Sequence, residues 1–317
     1  MPHPADAVDR AEESCMLSAF LPIWALTLLG YLAGRFRLLG GSDADRVLGS
    51  FVFHLAMPAA LFTSLSRTPL ALSGRGILAF AVSTVCVMGA GFALSRVAFG
   101  RKEGESTIGG MAAGYVNSAN LGIPVALHVL GNASFLTGVL LFQVLVVTPL
   151  ILVLLDRAAD RRALHPTRLL TLPLRNPVII GLAAGALCSA FGWHAPAVVA
   201  GPLALLGAAA VPSALVALGL SLTVRGPALH GEGRQVALLS ALKLVAQPLV
   251  AWLVGLALGL GRVELLALVV CAALPTAQNT YIFAREYGQG APVARRTVVV
   301  TTAASMATLA LVGWALG

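Results

Sequence analysis

Charge is scarce in this sequence. Asp, Glu, Lys and Arg make up 11% of its 317 residues, against about 25% in a soluble domain, and the shortfall excludes an ordinary soluble fold. Cysteine is scarce too. Cys86, Cys188 and Cys271 fall in apolar runs and Cys15 just before one, the placement of small buried hydrophobes and not of a disulfide or metal framework. There is no H-E-x-x-H, no pair of catalytic carboxylates and no Ser–His pair in a recognisable setting, so an intramembrane enzyme has no residues to work with. No cofactor is expected. The acidic leader 1–16 lacks the positive charge of a secretory signal, which argues that the first span is retained and leaves Met16 as an alternative start.

What is present is apolar length. The chain is 58% hydrophobic, and runs close to the roughly 20 residues needed to cross a bilayer recur throughout. Ten are read, at about 17–34, 47–65, 77–99, 107–130, 135–155, 177–193, 202–224, 235–260, 264–287 and 294–316. Sixteen of the 21 Lys and Arg residues fall in the connections after odd-numbered spans, among them Arg35, Arg101, Arg157, Arg295 and Arg296. Four lie on the opposite side and Lys243 lies inside a span. Because cytoplasmic loops retain positive charge, this places both termini outside the cytoplasm and the protein in the cytoplasmic (inner) membrane. The net charge of +8 is thereby a topological signal, and a nucleic-acid partner is not needed to explain it.

An internal repeat supplies the architecture. Leu28–Gly34 (LLGYLAG) returns as Ile179–Gly185 (IIGLAAG), Met57–Leu61 (MPAAL) as Val211–Leu215 (VPSAL), and Pro124 as Pro275, in order and at offsets of 151, 154 and 151. The expected fold is therefore an all-α membrane protein of ten transmembrane helices in two five-helix repeats, 17–155 and 177–317, joined by a basic loop 156–176. Five spans per repeat invert the second copy, a signature of secondary transporters with a midplane site. Spans 4 and 9 carry polar interruptions there, "NSANLGIP" from Asn117 and "LPTAQNTYIF" from Leu274. Each span is expected to stop, run extended and restart near Pro124 and Pro275, freeing N–H groups such as those of Val125, Ala126, Thr276 and Ala277 for an anion. Asn117, Asn120, Gln278 and Asn279 supply hydrogen bonds to the irregular backbone.

These motifs resemble the auxin efflux carrier family, which includes plant auxin carriers and bacterial permeases for malate and similar acids. The resemblance rests on Asn117–Pro124, on ALP275 followed by Tyr281–Gly288, on LKLVAQPL around Lys243, and on the opening stretch 34–62. It implies crossed broken helices like those of bile-acid transporters and sodium–proton antiporters. Spans 3–5 and 8–10 would then form a transport domain that moves against a scaffold of spans 1, 2, 6 and 7, with a possible homodimer through the scaffold. It further implies a small carboxylate substrate at Asn117, crossover prolines at Pro124 and Pro275, and a supporting cation at Lys243. Span 3 lacks the acid that pairs with that lysine in plant relatives, and their large central hydrophilic loop is missing.

The substrate-binding set is thus Asn117, Asn120, Gly122, Pro124, Pro275, Gln278 and Asn279, the amides alternatively serving as interhelical glue. Lys243 is a structural cation mimicking bound sodium, or a neutral or snorkelling lysine. His54 and His128 are packing residues, or proton couplers if they titrate. Pro58 and Pro212 are kinks beside the site. Gly30, Gly34, Gly181 and Gly185 have the spacing of close helix packing. Glu264, Asp156, Arg285 and Glu286 read as solvated or snorkelling charges at span ends. A sodium- or proton-coupled bile-acid-type symporter is the nearest rival function. A channel is the rival class, and it leaves the two equivalent breaks unexplained.

Overall fold

The computed structural model describes residues 21–39, 43–67, 74–130, 134–159, 176–193, 195–223 and 231–316. The side chains of Ala119, Asn120, Ile123, Pro124, Leu127, His128, Ser134 and 314–316 fall outside the description, as do the leader with Cys15 and Met16 and most of the basic loop. In chain order the helices are α1 (21–35), α2 (Ala44–Leu65), α3 (Arg75–Ala98), α4a (Glu103–Gly114), α4b (118–130), α5 (134–159), α6 (Pro177–Ala190), α7 (Ala197–Ser221), α8 (Glu232–Ala257), α9a (Arg262–Ala273), α9b (Asn279–Glu286) and α10 (Ala291–Leu316). No β-strand occurs among the described residues beyond one isolated bridge.

Six helices among the described residues are long and apolar enough to cross a membrane: α2, α3, α5, α7, α8 and α10. The other four expected spans fall short for separate reasons. α4 and α9 are interrupted, α6 has 14 residues, and α1 is described only from residue 21.

Proline shapes the long helices. Of the five five-residue π-helical turns among the described residues, four, Val52–Ala56, Ser118–Gly122, Gln143–Val147 and Leu242–Ala246, end two residues before a proline: Pro58, Pro124, Pro149 and Pro248. A proline ring pushes away the carbonyl four residues back and offers no N–H to it, and a wide turn absorbs both defects without ending the helix. α7 answers Pro212 differently, with a one-residue interruption at Ala209.

Small residues set the packing of α1, α2, α6 and α7. Gly30 lies against the backbone of Val216, and Gly219 against Thr27 and Tyr31, so α1 and α7 meet backbone to backbone. Gly181 and Gly185 press on Pro58 and Phe62 in the same way, joining α6 to α2. Any Cβ at these positions would overlap a neighbouring backbone atom, and such packing takes the place of the hydrophobic effect between helices in lipid. The remaining helices gather around the interruptions, with α4a on α3, α8 on α3 and α9a, and α10 on α9a and α9b.

Candidate functional site

The two interrupted helices meet at their gaps. Val116 and Thr276 pair as an antiparallel bridge in which Asn117 N–H donates to the Pro275 carbonyl at 2.8 Å and Ala277 N–H donates to that of Tyr115 at 3.1 Å. Each stretch thereby satisfies backbone groups that the other leaves open, as irregular chain buried away from water requires. Further bonds hold the crossing. Thr276 N–H donates to Thr301 Oγ1 (3.2 Å), Thr276 Oγ1 to the Ala112 carbonyl (2.7 Å), and Gln143 Nε2, from the π turn of α5, to that of Val116 (2.9 Å).

This geometry corrects two expectations. The extended residues of the first gap are Tyr115–Asn117, and a π turn fills the chain from there, so Pro124 is the second residue of the following α-helical stretch and not the restart point. Pro275 alone of the pair lies at the crossing, where it only accepts, since the exchange needs N–H donors that proline lacks. The N–H groups of Thr276 and Ala277 are spent on the crossing itself, and Val125 and Ala126 lie inside the restarted helix.

The carbonyl ends of α4a and α9a are served by one pair of side chains. Lys243, fully buried in the π turn of α8, donates from Nζ to the Ala272 carbonyl at 2.9 Å and to Gln247 Oε1. Gln247 Nε2 donates in turn to the Gly114 carbonyl (3.0 Å) and towards Thr84 Oγ1 (3.4 Å) on α3, the span in which the sequence has no acid. The Lys243 side chain sits where the negative ends of two half-helices converge.

A small cavity, open to the outside, lies beside the crossing. Its lining comprises Asn117, Gln278, Ile23, Trp24 and Thr27 of α1, Leu215 and Leu218 of α7, and Val298, Val299 and Thr302 of α10. Asn117 is the last extended residue before the π turn, and Gln278 is the N-cap residue of α9b. Both half-helices therefore begin at this cavity, where helix N-termini favour an anion. Gln278 is 3% exposed and its Oε1 has no protein partner. Rotation of that amide offers a guest either an acceptor or two donors.

Of the residues predicted from sequence, Asn117 and Gln278 reach the cavity and Pro275 and Lys243 hold the crossing behind it. Gly122 is buried with its Cα face toward Leu136 and Leu274, and Asn279, the first residue of α9b, is half-buried and not among the lining residues. The side chains of Asn120, Pro124 and His128 lie outside the described residues. Pro58 and Pro212 are half-buried at their helix irregularities and do not line this cavity. His54 is exposed on α2, 3.6 Å from Glu286. Trp24, Thr27 and Thr302 escape sequence reading because one polar or aromatic residue in an apolar span carries no signal of what it faces.

The charges read as solvated span ends are bound instead. Arg285 pairs with buried Asp45 of α2 at 3.1 Å, and Tyr281 donates to the same carboxylate at 3.3 Å. Glu286 accepts from Ser50 (3.0 Å), Asp156 from Tyr287 (2.6 Å), and Glu264 from Gly76 N–H (3.1 Å).

Apolar helices arranged around a crossing of two interrupted helices, with a cavity at their starts that carries two side-chain amides, define an integral membrane transporter. The model of the membrane transport protein family matches residues 15–313, and the chain belongs to that family, which takes in the auxin efflux carriers. It is 28% identical over 300 residues to a Rhizobium meliloti (strain 1021) protein described as "Putative malonate transporter", covering 91% of this chain and 92% of that one. An uncharacterized transporter of Methanothermobacter thermautotrophicus is 26% identical over 300 residues (92% and 95% covered). A rice protein described as "Probable auxin efflux carrier component 5b" is 30% identical over 140 residues (43% and 38% covered). These family members are transporters and not enzymes.

Proposed function

We propose that the protein is a secondary carrier that moves a small organic carboxylate across the cytoplasmic membrane by alternating access. The observation that carries the reading is the cavity where both half-helices start, with the amides of Asn117 and Gln278 in its wall and no acid among its lining residues. Such a wall stabilises a carboxylate through N–H donors and helix dipoles and gives little to a neutral analogue. The malonate named for the Rhizobium relative fits this class and serves as the probe.

The fold proposed for this function is ten spans in two inverted repeats, with both termini outside. Its support is reciprocity. The first helix of each half packs through glycines on the second helix of the other, α1 on α7 and α6 on α2, and the two gaps exchange one hydrogen bond each way. α3–α5 and α8–α10 form the moving part, and α1, α2, α6 and α7 the scaffold, through which a homodimer forms. Lys243 takes the place of a coupling cation, so transport needs no sodium and runs on the potential, worth about 2.3 kcal/mol per charge per 100 mV for anion exit.

In reconstituted vesicles, labelled malonate is expected to be taken up and malonamide not. Equal handling of the two would refute a carboxylate site. Imposing potential, proton gradient and sodium gradient one at a time is expected to show dependence on potential, and strict dependence on sodium would exclude the role given to Lys243.

A further inference from the structure

Three helices that line the cavity each carry a polar residue one turn further along, on the side of Asp45 and Arg285. Leu218 is followed by Ser221 on α7, Gln278 by Tyr281 on α9b, and Val298 is preceded by Arg295 on α10. These three residues lie against one another, one helical turn beyond the lining residues and not among them. Tyr281 is tied to Asp45, Ser221 Oγ bonds to the Leu218 carbonyl, and Arg295 donates through Nη1 to the Ser221 carbonyl.

Arg295 is the unusual member. Its neighbours in charge are already matched, Arg285 by Asp45 at 3.1 Å and Arg296 by Glu232 at 3.2 Å. Arg295 feels Asp45 and Glu232 at longer range but makes no ion pair in the described structure, and its Nε is buried with no hydrogen-bond partner. A guanidinium within an apolar span that rests on one carbonyl is costly, and such charges mark ligand paths by default. Its planar fork suits a carboxylate far better than a single carbonyl oxygen. On its own helix it lies about one turn, ~5.4 Å along the axis, from the cavity-lining Val298 and Val299.

We propose that Arg295 is the second anchor of the substrate, leaving the Ser221 carbonyl to grip the far carboxylate of a short dicarboxylic acid whose near carboxylate sits at Asn117 and Gln278. This rests on the carboxylate reading above and narrows it: Arg295 selects two-ended acids over monocarboxylates. No carboxylate loses its partner when Arg295 is neutralised, so Arg295→Gln should fold.

The test is uptake of labelled malonate and labelled acetate into vesicles containing the full-length protein, its Arg295→Gln variant or its Arg295→Lys variant. Arg295→Gln is expected to raise the half-saturation concentration for malonate at least tenfold and to leave that for acetate within twofold, with Arg295→Lys in between. Unchanged malonate uptake in Arg295→Gln, or an equal loss for both anions, would overturn the assignment. A measurement on the parental protein alone guards against a misfolded variant: malonate should compete with its own labelled uptake at least tenfold better than its monoamide does, and equal competition counts against Arg295. A parental protein that moves neither anion would instead refute the carboxylate reading, and the anchor with it.

Discussion

The gaps in α4 and α9 meet at one point yet are built by different means. After Asn117 the chain restarts through a π turn and reaches Pro124 only in the α-helical stretch beyond, whereas the second gap contains its proline and restarts directly at Gln278 and Asn279. The carbonyl end of α9a is served by the Lys243 amine, and that of α4a by the Gln247 amide that Lys243 holds in place. Two gaps can therefore share one crossing while their chemistry differs: one Lys–Gln pair serves both carbonyl ends, and one amide from each gap faces the cavity.

That asymmetry can be broken from either side. Lys243→Met should have the largest effect. It leaves the Ala272 carbonyl and Gln247 Oε1 without their donor, at about 1–3 kcal/mol for each buried acceptor, and it releases Gln247 from Gly114 as well. Expected is a markedly lower Tm in detergent and loss of transport, and a parental Tm would show that the crossing holds itself together. Asn117→Ala comes next, with at least a tenfold loss of uptake and a nearly parental Tm, because water beside Thr27, Gln278 and Thr302 can take the place of the lost amide. Gln278→Ala sharpens the comparison, since a side chain with an unpartnered oxygen is spare in the absence of substrate. It should reduce uptake several-fold, by less than Asn117→Ala, with Tm unchanged, and a large fall in Tm would make Gln278 glue. Thr276→Val is the smallest change. It removes the bond to the Ala112 carbonyl and should cost about 1 kcal/mol of stability, read as a modest fall in Tm.

Much of this was legible in the sequence because the bilayer imposes simple rules. Apolar length marks the spans, and proline and glycine next to Asn and Gln at mid-span mark the two interruptions. A lysine deep in a span without an acid must find acceptors, and Lys243 finds the Ala272 carbonyl and Gln247. The register of the crossing was not legible. Matching Pro124 to Pro275 aligned two prolines, but the structure aligns Val116 with Thr276, because crossing strands require donors and a π turn can displace a proline from the gap it accompanies. The pairing of Arg285 with Asp45 was hidden for a different reason: the two are 240 positions apart and meet only through helix packing. Arg295 looked like a loop charge because it stands one turn inside α10.

The central claim is that the cavity beside the crossing holds a carboxylate. Thr302 lines that cavity from α10, and a Thr302→Cys variant in a background without the native cysteines gives direct access to it. The rate of maleimide labelling at this position should fall when malonate is added and stay unchanged with malonamide. Labelling that ignores both compounds, or that slows equally with both, would contradict the account.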